Sequence, residues 1–178
     1  MIVLRSGESY NILKNNRDLS VIFLAGPTPR NHSVKSWRHE ALQILARMKY
    51  NGFVFVPEPF AKDYDTQVEW EWNGLNIADI VVFWIPRNME DMLGLTTNVE
   101  FGMFVRTRHD IRYSEPFSLQ GLYNIGHDIV YGRPEGAPHT RYLDWHYTRR
   151  TGKEPCKSLR ETLEETIERL KEEIWEEK

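Results

Sequence analysis

Apolar residues cluster in four short runs along the chain: Val21-Ile22-Phe23-Leu24-Ala25-Gly26, Phe53-Val54-Phe55-Val56-Pro57, Ile80-Val81-Val82-Phe83-Trp84-Ile85-Pro86 and Asp128-Ile129-Val130-Tyr131-Gly132. Each has the length of a strand and ends at glycine or proline, which predicts four strands. Between them the apolar positions switch to helical spacing. From Trp37, residues Ala41, Leu42, Ile44, Leu45 and Met48 lie on one face of a helix that Asn31 or Ser33 can cap and Asn51-Gly52 ends. Tyr64 to Asp79 is predicted as a helix whose stripe is Val68, Trp72, Leu75 and Asp79, with Glu71 at the border of that stripe. Thr97 to Arg108 and Ala137 to Arg150 are two further helices. An amphipathic helix over about residues 157–176, carrying Leu159, Leu163, Ile167, Leu170 and Ile174 among glutamates and lysines, docks on the domain or on a partner subunit. Ile111 to Gly126 is consistent with either a hairpin or a flexible lid.

Strands alternating with helices at short spacing imply a parallel sheet covered on both faces. The expected fold is therefore α/β, a doubly wound parallel sheet in a flavodoxin/Rossmann-like three-layer sandwich. A single domain over residues 1–178 accounts for the whole chain.

Composition narrows the function classes. A formal net charge of -3 and a pI near 6.1 argue against binding polymeric nucleic acid through its phosphates, and leave room for a nucleotide-sized ligand. The lone Cys156 cannot form an internal disulfide, and no Cys/His pairing of metal-ligand spacing occurs, so no metal and a reducing, cytoplasmic setting are expected. No apolar run approaches the roughly 20 residues of a membrane span, and the amino-terminal residues lack the pattern of a secretion signal. There is no Walker loop, no GxGxxG after a strand and no GxSxG elbow.

Candidate chemistry comes from the topology. Loops after consecutive parallel strands share the carboxyl edge of the sheet, where such folds bind ligands. That edge collects Glu58, Asp63, Asp65, Asp91 and Glu100, with Glu71 on the adjacent helix. Two carboxylates close together divide their roles, one pushed up in pKa and the other left low, which suits paired nucleophilic and acid/base work; magnesium binding is the competing use of such a cluster. Glu100 is the leading candidate nucleophile, held ionised by the start of its helix. Thr97-x-x-Glu100 equally spells a capping box, which needs no function. In the loop Gly26-Pro27-Thr28-Pro29-Arg30, Gly26 admits close approach of a ligand and Thr28 or Arg30 offers donors, while as a plain turn it needs neither. Arg30, Arg38 and Arg87 are candidates for a 5'-phosphate or simple surface cations. His139 and His146 share a helix face and are expected in packing or solvent.

Taken in order, Ile22-Phe23-Leu24-Ala25-Gly26-Pro27-Thr28, Glu71 followed by Leu75 and Ala78-Asp79, and Thr96-Thr97-Asn98-Val99-Glu100-Phe101-Gly102 resemble the nucleoside 2-deoxyribosyltransferase superfamily, in its deoxyribosyltransferase-like branch. The resemblance implies cleavage of the N-glycosidic bond of a small-molecule nucleoside or nucleotide without a cofactor, with 2-deoxyribosyl transfer to another base or to water. It makes Glu100 the nucleophile at the anomeric carbon and puts Glu71 where relatives carry an aspartate that handles the base or its proton. The longer side chain is a departure that bears on base preference. Thr97 and Asn98, with Gly26, Pro27, Thr28 and Arg30, are then the expected substrate contacts, joined by Asp79, whose place on the core-facing stripe favours a capping or structural duty; a homo-oligomer is implied. The remaining alternatives are a non-catalytic nucleotide-binding or sensing module and a magnesium-dependent phosphohydrolase.

Overall fold

The structure is a computed structural model that describes all residues except 17, 32, 60–62, 106–127 and 177–178, and no side chain beyond residue 172. Five strands form one sheet: β1 (Ile2–Arg5), β2 (Val21–Ala25), β3 (Phe53–Val56), β4 (Ile80–Trp84) and β5 (Asp128–Gly132). Their order is β1-β3-β2-β4-β5 and every pair is parallel. The helices are α1 (Trp37–Arg47), α2 (Tyr64–Ile77), α3 (Leu95–Phe104), α4 (Arg141–Thr151) and α5 (Leu159–Glu176), and a 3-10 turn spans Asn11–Asn15.

The twofold alternation of strand side chains divides the core into two layers. On one face Phe23, Phe55, Val81, Phe83, Ile129 and Tyr131 pack against Trp70 and Leu75 of α2, Phe101 and Phe104 of α3, and Leu143 and Tyr147 of α4. On the other, Ile22, Leu24, Val54, Val82 and Val130 meet Trp37, Ala41, Ile44 and Leu45 of α1 and Leu159, Leu163 and Leu170 of α5. The expected doubly wound, three-layer α/β sandwich is what the chain forms. The terminal helix, whose docking partner was open, lies on its own sheet.

Four details differ from the expectation. Ile2–Arg5 is a fifth strand, paired with β3 at the sheet edge; its signal is weak because only Leu4 is buried. Ser36 caps α1 by accepting from the Arg38 amide at 3.2 Å, whereas Asn31 turns its own loop by accepting from Ser33. In α2 the buried line is Gln67, Trp70, Gly74 and Leu75, and Val68 and Trp72 are exposed. Lastly, α3 starts at Leu95 behind the left-handed Gly94, so Glu100 lies in its second turn and Thr97-x-x-Glu100 does not cap it. The hairpin or lid expected over Ile111 to Gly126 lies outside the described residues.

Gly74 lets α2 approach the sheet: a Cβ there would stand 2.7 Å from Phe55 Cδ1 and 2.8 Å from Phe23 Cε2. Gly74→Ala is expected to lose about 1–2 kcal/mol in urea unfolding, because the overpacking exceeds the gain in helix propensity. Unchanged or higher stability would show that the helix has room to retreat.

Candidate functional site

β2 and β4 are neighbours in the sheet, yet the chain leaves β2 for α1 on one face and β4 for α3 on the other. The two exits open a crevice at the carboxyl edge. Gly26 stands at its floor with φ +148, and a Cβ there would fall 2.2 Å from the Trp84 carbonyl oxygen. Trp37 Nε1 donates to the Pro27 carbonyl at 3.0 Å, and the Arg30 amide donates to the Asp91 carbonyl at 2.9 Å, tying this loop to the one that leads into α3.

The crevice widens into a cavity of about 730 Å³. Gly26, Pro27, Thr28 and Arg30 line one wall, Tyr64, Gln67, Val68 and Glu71 of α2 a second, and Gly94, Leu95, Thr97, Val99 and Glu100 a third. Of the six acids assigned to this edge, only Glu71 and Glu100 line the cavity. Glu58 is ion-paired with Arg38 at 2.5 Å and Asp63 caps α2 through the Thr66 amide at 2.8 Å. Among the described residues no cluster of three or more His, Cys, Asp or Glu side chains has metal-binding geometry.

Both cavity glutamates are pushed up, contrary to the expected split of one high and one low. Burial and then the Glu71 charge raise Glu100 to about 7, against the pull of Arg38. Burial raises Glu71 too, opposed by a hydrogen bond from Gln67 Nε2 and by Arg38. A helix start does not hold Glu100 ionised, since a macrodipole acts over the first turn and Glu100 is beyond it.

Two expected contacts lie elsewhere. Asp79 Oδ2 accepts from the Val21 amide at 2.7 Å, at the amino end of β2 and thus the opposite edge of the sheet. Asn98 points away from Glu100: its Oδ1 accepts from Arg87 Nη2 at 2.5 Å, and it lines a separate cavity of about 480 Å³ with His139, Tyr142 and His146. Thr97 lines the main cavity and is itself buried. Arg87 is buried, with Nη1 donating to the His139 carbonyl at 2.8 Å, and Arg30 alone of the three arginines is exposed.

Gln67 is a polar cavity residue the sequence reading left out, and Arg38, read there as a phosphate contact or a surface cation, is buried. Arg38 is 2% exposed and donates from Nε to the Leu24 carbonyl (3.0 Å), from Nη2 to the Gly26 carbonyl (2.7 Å) and from Nη1 to Thr28 Oγ1 (3.1 Å) and Glu58. Its signal was a charged residue on the same helix face as Ala41 and Leu45. Gln67 accepts from Ser6 Oγ through Oε1, which turns its amide nitrogen to Glu71.

A carboxyl raised in the folded state keeps a proton that the unfolded chain loses near its ordinary 4.5, so the cost of Glu100 grows as pH rises from there to about 7. Glu100→Gln is therefore expected to stabilise the protein at pH 8 by on the order of 1–2 kcal/mol, less than the full shift implies because the cavity is open to water, and to change little at pH 4. Thermal midpoints of both proteins at the two pH values check this; an equal difference at both would contradict it.

No helix among the described residues is long and apolar enough to cross a membrane. Comparison with curated proteins finds no match. The family described as nucleoside 2-deoxyribosyltransferase like matches residues 20–113, just over half of the chain and the part that builds β2, β3, β4 and the three walls of the cavity. The chain belongs to the nucleoside 2-deoxyribosyltransferase-like family.

Proposed function

We propose that the protein cleaves the N-glycosidic bond of a nucleoside or nucleotide, with Glu100 as nucleophile and Glu71 as its acid/base partner. The observation that carries this is the pairing itself: two electrostatically coupled glutamates on different helices, facing one cavity at the switch point of a fold of the nucleoside 2-deoxyribosyltransferase-like family. Such a pair titrates as a unit, and between its two steps it holds one proton. Burial raises both carboxyls, Glu100 to about 7. Positive charge growing at the anomeric carbon draws ionisation to Glu100 and leaves the proton on Glu71.

In the first step the Glu100 oxygen bonds to C1' as the C1'–N bond breaks, and the Glu71 proton passes to the departing base nitrogen. In the second, water or another base attacks C1', the glutamyl ester bond breaks, and Glu71 recovers a proton from the attacker. Tyr64, Val68, Leu95 and Val99 give the mouth an exposed apolar rim suited to a planar base. Gly26, Pro27, Thr28, Arg30 and the buried Thr97 are assigned to the sugar and its 5' substituent. Trp72 and Met103 extend the apolar rim along α2 and α3, and a homo-oligomer would cover this surface. One domain over residues 1–178 carries this site.

The test is chromatographic detection of free base from a panel of nucleosides, deoxynucleosides and their monophosphates, with and without an acceptor base. Wild type is expected to release base with a bell-shaped pH dependence that declines above about 7, where the pair loses its last proton. Glu100→Ala should lower release by about 10³-fold or more, and Glu71→Gln should remove the alkaline limb along with most of the rate. Dependence on the acceptor separates transfer from hydrolysis. Binding of a panel member without base release from any would identify a binding module instead.

A further inference from the structure

The site contains one charge that the chemistry above does not use. Arg38 enters it from α1, on the face of the sheet opposite the two glutamates' helices, and its guanidinium lines the cavity that Glu71 and Glu100 also line. Its position leaves it little freedom. Nε and Nη2 are bonded to the carbonyls of Leu24 and Gly26, the residues at the carboxyl end of β2, and Nη1 is shared by Thr28 and Glu58. The Trp37 ring lies 4.6 Å from the guanidinium carbon. A cation so placed cannot swing toward a ligand, but its field reaches everything around it.

Three carboxylates compete for that field, each from a different element: Glu58 from the loop after β3, Glu71 from α2 and Glu100 from α3. Burial draws Arg38 below its ordinary value, and Glu58, Glu100 and Glu71 oppose this by their charges. Glu58 alone makes direct contact. Among the described residues the other charged or titratable groups nearby are Arg5, whose Nη1 donates to the Glu58 backbone carbonyl at 3.2 Å, the exposed Arg30 at the cavity wall, and His39, which shares with Arg5 and Arg38 a second cavity of about 370 Å³ behind the loop.

We infer that Arg38 is a positioning residue for the two candidate catalytic carboxylates: a fixed, buried cation that divides its charge among Glu58, Glu71 and Glu100, with Glu58 as the counterweight that determines how much reaches the cavity. It touches neither the sugar nor the base. Its work is to offset the burial of two acids, so that near neutral pH the pair holds one proton and not two. The assignment of catalytic roles rests on the glycosidic reading above, whereas the sharing of charge does not.

Opposite substitutions distinguish this from a structural role. Glu58→Gln keeps the bonds of Arg38 to Leu24, Gly26 and Thr28 but removes the counterweight, so Glu100 should ionise at lower pH. Arg38→Met removes the cation, so Glu100 should ionise at higher pH, and Arg38→Lys should restore most of the wild-type value. The readout is a ¹³C NMR titration of protein labelled at the glutamate carboxyl carbons, with the two cavity signals assigned by their loss in Glu71→Gln and Glu100→Gln. Relative to a wild-type midpoint of about 7, the expected displacements are roughly half a pH unit down for Glu58→Gln and about one unit up for Arg38→Met. If Arg38→Met does not fold, Glu58→Gln decides alone.

A Glu100 midpoint that stays in place or rises in folded Glu58→Gln overturns the inference. The pH profile of base release, run on the same proteins, should move with the titration. Moved midpoints without base release from any protein would sink the glycosidic reading and leave the charge sharing standing. Base release with unmoved midpoints would do the reverse.

Discussion

The architecture of the cavity depends on the contact between Gly26 and the Trp84 carbonyl, where β2 and β4 run out of the sheet side by side and the chain turns to opposite faces. A side chain at position 26 would force the two strand ends apart, and its φ of +148 is one that other residues rarely adopt. With glycine there, the β2 loop lies flat enough for Pro27 and Thr28 to form a wall, and Gly94 can turn α3 inward opposite it. The spacing between the loop that would hold the sugar and the helix that carries Glu100 is thus a backbone property, set before any catalytic side chain is considered.

Strand ends that leave a sheet also leave carbonyls without ladder partners, and buried carbonyls need donors. Arg38 supplies them for Leu24 and Gly26. Taking a guanidinium out of water costs several kcal/mol unless its donors are satisfied and its charge is met. Here Leu24, Gly26, Thr28 and Glu58 meet the donors, and Glu58 with the two cavity acids meets the charge. The cation that closes the β2 end is therefore the one that sits beside Glu71 and Glu100, so fold and site constrain the same residue.

Legibility in the sequence followed the strength of the apolar signal. β2, β3, β4 and β5 are near-continuous apolar runs because both faces of each are covered, and no other element matches that pattern. The face of α2 was misjudged because its buried line contains Gln67, kept inside by hydrogen bonds, and Gly74, kept small by Phe23 and Phe55; neither registers as hydrophobic. Val68 and Trp72, which do register, face out. Arg38 was read as a phosphate contact or a surface cation for the same reason, as a charge whose burial depends on carbonyls at the end of the preceding strand. Topology brings the ends of β2, β3 and β4 together and so put six acids at one edge, but it did not say that of these Glu71 and Glu100 would line the cavity. Asp79 takes the structural duty its stripe position favoured, and it and Asn98 lie away from the cavity because adjacency in sequence does not say which edge of a sheet, or which side of a helix, a side chain takes.

The element hardest to read also reaches the site. β1 adds to the outer edge of β3, and the chain just past its carboxyl end presents Ser6 to Gln67. An amide has one accepting and one donating end, so the hydroxyl of Ser6 on Oε1 directs the nitrogen toward Glu71. A donated hydrogen bond favours the charged form of a carboxylate, and Glu100 has no such bond among the causes that shift it. Burial raises both glutamates and Arg38 opposes it in both; Glu100 also feels the Glu71 charge, whereas Gln67 donates to Glu71. The hydrogen bond that holds Glu71 down is therefore directed from the edge of the sheet, by the residue that follows a four-residue strand with a single buried side chain.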